Sequence, residues 1–276
     1  RAATLIFGGV LAFVAAAAGT ESFWRPGGPQ AAPPNGRDGD AAFSAGHTEM
    51  AEVFATEGDY QSIQVRRTSS DGHENVMSLR AGDRILAGDR ITVGPDARLE
   101  LYLGMNARAL ALPNSSFAMI ADELRTENGV TATRRHLELS KGMLRTRVRL
   151  NVKKPEPVII HFLEAALEIG NPTQNVLGGT DGVVSVSDNP ATSKVVLFRG
   201  NAILRTRVLA GDGGLSATLT TGQTVDITTN DAENSIVKSL NDKDLKASQQ
   251  SVAFLVDRVA THDSIAPTRV DTQTGP

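Results

Sequence analysis

The side chains able to carry chemistry are few and scattered in this sequence. Its five histidines are His47, His73, His136, His161 and His262. No two of them have metal-ligand spacing with a carboxylate beside them, so no zinc site is predicted. Asp122-Glu123 and Asp242-Lys243-Asp244 have the acidic character of glycosidase acid/base pairs, but we interpret both as solvated surface. Because no nucleophile elbow or phosphate-binding glycine loop occurs either, we expect a protein that is not an enzyme and that uses no cofactor, metal or small-molecule substrate.

One charged segment stands apart from the rest of the chain. Between Arg134 and Lys154, eight cations accompany one acid, on a chain with a formal net charge of −3. Arg145, Arg147 and Arg149 alternate with other residues, and a β-strand would align them about 6.6 Å apart on one face. Such a stripe is either a solvated strand face or a docking face for anionic headgroups or an acidic partner. We therefore treat these three arginines as a candidate docking face.

Composition excludes several classes of protein. The 28 basic and 31 acidic residues nearly balance, which does not indicate a nucleic-acid partner. Cysteine is absent, and this excludes disulfides, thiolate metal sites and cysteine nucleophiles. With 40% hydrophobic residues, the chain can bury a full core without such cross-links.

The N-terminal segment predicts a membrane anchor over residues 1–24. Residues 2–20 carry no charge, and as a helix they would span about 28 Å, close to the hydrocarbon core of a bilayer. Phe23 and Trp24 follow where an aromatic belt would lie, and Gly8 and Gly9 would let another helix approach closely. A cleaved signal peptide with a small-residue site near residues 15–17 is the alternative.

Orientation and location follow from the same segment. Arg1 is the nearby upstream cation, and cations stay on the cytoplasmic side. We therefore expect a single-pass protein of the bacterial inner membrane with its bulk in the periplasm. Because the first residue is Arg rather than Met, further residues are expected upstream.

The remaining chain predicts a mainly β protein with a helical end. Residues 25–46 are a linker rich in Pro and Gly. Residues 47–229 alternate apolar and polar side chains between frequent turn signals, which is typical of an antiparallel β-sandwich or β-roll. The predicted strands include residues 99–103, 144–150, 158–162, 183–186, 195–198, 215–219 and 225–227. Helical spacing resumes over residues 230–262, with Ile236, Val237 and Leu240 in one stripe, and residues 263–276 form a tail.

Short repeats mark structural turns. The hexapeptide AGDRIL at 81–86 is followed at once by AGDRIT at 87–92, so Gly82-Asp83 and Gly88-Asp89 predict two tight turns. Gly179-Thr180 predicts the start of a strand where another backbone passes close. The pentapeptide LRTRV occurs at 144–148 and again at 204–208, which indicates equivalent strand positions in two layers.

Six segments of the chain, taken in order, resemble the FecR domain family. They are AEVFATEGDYQSIQVRR at 51–67, LRAGDRILAGDRITVGPDARLELYL at 79–103, LELSKGMLRTRV at 137–148, LGGTDGVVSV at 177–186, VVLFRGNAIL at 195–204 and LTTGQTVDI at 219–227. The resemblance implies a membrane-tethered periplasmic β-domain that relays an outer-membrane signal to an extracytoplasmic sigma factor. The family's relay uses a cytoplasmic domain before the anchor and often a small α/β domain after the FecR domain, and this sequence shows neither.

These departures favour a non-enzymatic structural subunit over a transducer. The sequence predicts a membrane-anchored protein whose β-domain docks on other subunits of a larger membrane complex, with a photosynthetic or respiratory assembly as a natural host. A FecR-type signal transducer that regulates an extracytoplasmic sigma factor is the first alternative. A cell-wall or glycan-binding module is the second, although two Tyr and one Trp offer little surface for sugar stacking.

Overall fold

The computed structural model describes most of the predicted β-domain and part of the helical end. The described residues are 48–69, 71–127, 129–149, 155–163, 165–171, 179–188, 191–206, 216–228 and 237–255. The predicted anchor (1–24) with Gly8, Gly9, Phe23 and Trp24, the linker (25–46) and the tail (263–276) lie outside them. Within the described ranges, no helix has both the length and the apolar character needed to cross a bilayer.

The described residues are mainly β-strand, as predicted, with one helix near the C-terminus. The strands are β1 (Glu49–Glu57), β2 (Ile63–Thr68), β3 (Glu74–Ser78), β4 (Arg84–Leu86), β5 (Arg90–Val93), β6 (Arg98–Tyr102), β7 (Ala107–Ala111), β8 (Ser116–Glu127), β9 (Val130–Val148), β10 (Val158–Phe162), β11 (Ala165–Ile169), β12 (Thr180–Asp188), β13 (Ala191–Arg199), β14 (Asn201–Thr206), β15 (Ser216–Thr220), β16 (Gln223–Thr228) and β17 (Val237–Ser239). The helix α1 is Asp242–Ser251, and a short 3-10 turn covers Tyr60–Ser62. Each predicted strand overlaps an observed one.

The strands pair into two sheets that share one long strand. Sheet A has the order β4-β1-β6-β7-β9-β12-β13-β16-β17. Sheet B has the order β3-β2-β5-β8-β9-β10-β11-β14-β15. The first part of β9 belongs to sheet B, and the part after Gly142 belongs to sheet A. Gly142 has φ +86°, and a Cβ there would lie 2.5 Å from the Cα of Ser115, so only glycine fits where β9 changes sheet.

One pairing departs from the predicted antiparallel pattern. β10 runs parallel to β9, with Val158 opposite Arg135 and His161 opposite Glu138. The second half of β9 and the connection after it separate these partners along the chain. A connection of that length permits a parallel pair, whereas a tight hairpin would impose an antiparallel one.

Both sheets contribute to a single hydrophobic core. Val53 and Leu101 of sheet A and Ile63, Val65 and Phe117 of sheet B are among its fully buried members. Strand β2 shows the underlying pattern, since its residues alternate between buried and exposed from Ile63 to Thr68. This alternation places apolar side chains of each sheet against those of the other.

The helical prediction is wrong at the start of the C-terminal region. Val237–Ser239 is the short strand β17, which pairs with β16 through Val225 and Val237. The unpaired main chain at the edge of sheet A accepts a strand there, and this outweighs the helical spacing. Helix α1 begins later, where the side chain of Asn241 caps it by accepting a hydrogen bond from the Asp244 N–H at 2.9 Å.

Candidate interaction surface

A second hydrophobic cluster lies on the outer face of sheet A. Leu110 of β7, Val183 of β12 and Phe198 of β13 form its sheet side. Val252 and Phe254, which follow helix α1, pack against them. Residues 249–255, here called the C-terminal segment, therefore cover this part of the sheet.

Arg145 joins the C-terminal segment to the sheet. Its side chain is 2% exposed and makes a bidentate pair with Asp181, from Nε to Oδ1 at 2.9 Å and from Nη2 to Oδ2 at 2.6 Å. The remaining nitrogen, Nη1, donates to the carbonyl oxygen of Val252 at 2.8 Å. A buried guanidinium with all three nitrogens engaged has one orientation, so it fixes both partners.

Two further arginines complete the polar part of this surface. Arg147 donates from Nε to Oδ2 of Asp181 at 2.9 Å, so one carboxylate serves two guanidinium groups. Arg108 is paired with Glu100, which is fully buried. The second oxygen of Glu100 accepts the backbone N–H of Leu255 at 2.9 Å.

The side chain of Phe254 lies at the centre of these charges. The guanidinium carbons of Arg108, Arg145 and Arg147 are 4.7, 4.7 and 4.8 Å from its ring centroid. Phe254 is fully buried, so these cation–π contacts are made away from water, where they are strongest. We call this group, with Glu100 and Asp181, the arginine–phenylalanine cluster.

The predicted docking arginines have different positions in the structure. Arg145 and Arg147 lie under the C-terminal segment, and Arg149 is exposed at the end of β9. The first two share a face of the strand, as the alternation predicted, because both contact Asp181 and Phe254. In this structure the chain's own residues occupy that face, and docking of another molecule there stays a prediction. Sequence reasoning did not find Glu100, Asp181 or Phe254.

An open cleft adjoins the C-terminal segment. Its volume is about 810 Å³, and its lining includes Ser251 and Val252 of the segment together with Leu112, Lys194 and Asp226 of the sheet. Ser193 also lines it; this side chain is 3% exposed, and its hydroxyl has no hydrogen-bond partner in the described part of the chain. The cleft therefore combines apolar surface with an unsatisfied polar group.

The two AGDR turns use their aspartates in the same way. Oδ2 of Asp83 accepts the N–H of Arg80 at 2.7 Å, and Oδ2 of Asp89 accepts the N–H of Leu86 at 2.8 Å. Gly82 and Gly88 both have φ +88°. Asp89 is fully buried and also holds Arg67 in a bidentate pair, at 2.9 and 2.8 Å. The repeat thus forms two similar turns, of which only the second is built into a buried ion pair.

Gly179 lies where two backbones meet. It has φ +81°, and a Cβ would be 2.3 Å from the carbonyl oxygen of Val148. Thr180, which is buried, donates from Oγ1 to the carbonyl of Asn201 at 3.2 Å. These residues therefore join the start of β12 to the end of β9 and to β14.

The parallel pairing of β9 and β10 brings two histidines together. Nδ1 of His136 is 2.9 Å from Nε2 of His161, and Nε2 of His136 is 3.4 Å from a carboxylate oxygen of Glu123. Burial lowers the pKa of His161, and the charge of His136 lowers it further. Among the described residues, no three His, Asp or Glu side chains are grouped closely enough to hold a metal ion.

The carboxylates that the sequence predicts to be solvated differ in their exposure to solvent. Asp242 and Asp244 are exposed in the first turn of α1, where they complement the helix dipole. Asp122 is instead partly buried and lies 3.7 Å from Arg135. Burial raises the pKa of Asp122, and the Arg135 charge opposes that rise.

Comparison with known proteins gives a coarse structural likeness. No family model and no curated protein matches the sequence. Two solved structures of a "putative anti-sigma factor" from Parabacteroides distasonis ATCC 8503 are similar to the chain. One has 13% identity and a TM-score of 0.41 over 57% of this chain and 62% of its own, and the other has 12% and 0.40 over 58% and 64%. The match therefore spans less than two thirds of either protein.

Proposed function

We propose that this chain is the FecR-type β-domain of a transmembrane signal transducer that regulates an extracytoplasmic sigma factor. The observation that carries the proposal is the position of the FecR-like motifs. The two AGDR turns and the Gly179-Thr180 step join strands of the two-sheet domain, so the motifs that resemble the family have a structural reason to occur in that order. The two solved proteins named above bear the name of the same functional class.

The described charges support action by contact rather than by catalysis. The buried pair of Arg67 with Asp89 joins β2 to the turn between β4 and β5, and the buried pair of Arg145 with Asp181 joins β9 to β12. Each of these carboxylates is engaged by bidentate hydrogen bonds, which fix its position. Groups held in this way stabilise a rigid platform, and we propose that the platform acts through its surfaces.

Membrane attachment is part of the same proposal. The uncharged run of residues 2–20 would anchor the chain in the inner membrane and hold the β-domain in the periplasm. A structural subunit of a larger membrane complex is the second candidate. The combination of anchor, Pro/Gly linker and β-domain would suit a subunit as well as a transducer. We propose no glycan-binding role.

The test combines gene deletion with native purification from the source cell. For a transducer, deletion changes transcription of one sigma-factor regulon, and the tagged full chain co-purifies in mild detergent with a regulatory membrane protein. Unchanged transcription together with stoichiometric co-purification in a large assembly would replace the transducer by the structural subunit. Unchanged transcription and migration alone at monomer mass would contradict both.

A further inference from the structure

The arginine–phenylalanine cluster recognises main-chain atoms of the segment that it holds. Arg145 donates to the carbonyl of Val252 and, at 3.5 Å, to that of Gln249. Glu100 accepts the N–H of Leu255. Because these contacts are made to the backbone, they do not depend on which side chains the bound segment carries.

Sequence preference comes from the position of the aromatic ring. Three guanidinium groups surround Phe254, with their carbons 4.7 to 4.8 Å from its ring centroid. A buried ring face satisfies these cations in a way that an aliphatic side chain cannot. Val252 and Leu255 fill the adjoining apolar surface, so the site favours an aromatic residue flanked by aliphatic ones.

Among the described residues, helix α1 adds little to the attachment of the C-terminal segment. Helix α1 contains no buried residue, and its Leu245 is only partly buried against the second hydrophobic cluster on sheet A. A ten-residue helix of this kind is marginal by itself. In the described part of the chain, the attachment of residues 249–255 therefore depends on the burial of Val252, Phe254 and Leu255 and on the backbone hydrogen bonds with Arg145 and Glu100.

The open cleft offers additional contact surface to a partner segment that competes with residues 249–255. An occupant from the same chain has an effective concentration on the order of millimolar, so a partner making only the same contacts would not displace it. A longer partner segment could also fill the 810 Å³ cleft beside Val252 and satisfy the hydroxyl of Ser193. That additional contact would favour exchange.

We infer that the outer face of sheet A is a peptide-binding site, and that the C-terminal segment is its exchangeable occupant. The partner it fits is a protein that presents a short turn segment with one aromatic residue between aliphatic residues, because residues 252–254 leave the end of α1 in a turn rather than a strand. This inference deepens the proposed function, because it names the surface through which a transducer would contact its partner.

The test uses a fluorescent peptide of residues 249–255, QQSVAFL, and its Phe→Ala counterpart. Binding is measured by anisotropy to the full chain, to the Phe254→Ala variant and to a chain ending at Ser248. The Phe254→Ala and shortened chains should bind the parent peptide at least tenfold more tightly than the wild type, and the Phe→Ala peptide should bind neither. Tyr60→Ala, which removes an exposed ring before β2 of sheet B, should behave as the wild type.

Two further measurements locate the binding site and test whether the variants still fold. Arg147→Met in the shortened chain should weaken peptide binding severalfold, since it removes one of the three cations around the ring. Absence of binding to folded variants, or equal binding to wild type and variants, would overturn the inference. If both the Phe254→Ala and shortened chains lose their β-sheet circular dichroism, the segment is an obligatory part of the fold and the inference fails. None of these results alters the transcription test, so the two proposals can fail separately.

Discussion

Replacing Asp89 by Asn should cost far more stability than the same replacement at Asp83, although the two residues have the same place in the repeated AGDR turn. The Asp89 carboxylate is fully buried and accepts two hydrogen bonds from Arg67 and one from the Leu86 N–H. Asp83 is half-buried and accepts the N–H of Arg80. An asparagine can still serve the turn at either position, but only at Asp89 does its NH₂ group confront a buried guanidinium.

The magnitudes follow from burial. Breaking one partner of a buried ion pair costs about 3–5 kcal/mol, because the other charge is left uncompensated. Weakening one hydrogen bond in a partly exposed turn costs about 1 kcal/mol. For a domain of this size each kcal/mol lowers Tm by roughly 2–4 °C, so we expect a drop of about 6–20 °C for Asp89→Asn and a few degrees for Asp83→Asn.

Thermal and urea unfolding of the two variants, followed by circular dichroism, measures the difference. A double variant, Arg67→Met with Asp89→Asn, should recover much of the loss, because it removes the buried charge that Asp89→Asn leaves uncompensated while the amide oxygen can still accept the Leu86 N–H. Equal losses for Asp83→Asn and Asp89→Asn would refute the reasoning. So would a double variant less stable than Asp89→Asn alone.

Three other predictions concern matched positions and pH. Arg145→Ala should cost about 3–5 kcal/mol in urea unfolding. Arg205→Ala, at the same place in the second LRTRV copy, should cost less, about 1.5–3 kcal/mol for one hydrogen bond to a charged group, because the buried Glu168 keeps Arg134 at 3.6 Å and Asn171 at 2.8 Å. Gly179→Ala should destabilise well beyond the roughly 1–2 kcal/mol of left-handed strain expected for Gly72→Ala, which has open space around it; equal Tm values would contradict the steric argument. Because the folded pKa of His161 is lowered, the unfolded chain takes up that proton first, and stability should fall as pH drops below about 6.5; His161→Gln should flatten that fall in unfolding curves between pH 7 and 5.

Local patterns in the sequence were sufficient to predict the turns and most strands. Gly82 and Gly88 have a positive φ that few other residues adopt, and each is followed by an Asp that bonds to the nearby backbone. The conformation of these turns is therefore decided by residues close in sequence. The alternation along β9 likewise identified the face shared by Arg145 and Arg147. These features are local, and local chemistry decides them.

The packing of the C-terminal segment on the face with Arg145 and Arg147 could not be predicted in the same way. Alternation separates the two faces of a strand but does not say what lies on the outer one. Val252 and Leu255 have the spacing of one helix face in the sequence, and only the end of α1 at Ser251 frees residues 252–255 to pack on sheet A. Glu100 alternates with Leu99 and Leu101 of the core and so lies on the outer face of its strand, where Arg108, Phe254 and Leu255 bury it.

The histidine pair shows a second limit. His136 and His161 are distant in sequence, and nothing in their spacing connects them. They meet because β10 pairs in parallel with the first half of β9, which depends on where the chain returns after β9 has entered sheet A. Long-range topology of this kind has no short-range sequence signal.

The two LRTRV copies separate what the sequence specifies from what the fold adds. In both, the Leu and Thr face the core and the Arg pairs with an acid on the neighbouring strand, Asp181 for Arg145 and Glu168 for Arg205. The first copy lies in sheet A, and the described residues 204–206 of the second lie in sheet B, so the motif specifies a strand and an ion pair in either layer. Only the first arginine is covered by the C-terminal segment. Removing that cover should therefore give Arg145 an exposure comparable to that of Arg205, with the fold of the strand preserved, and this makes exchange of the occupant compatible with a stable domain.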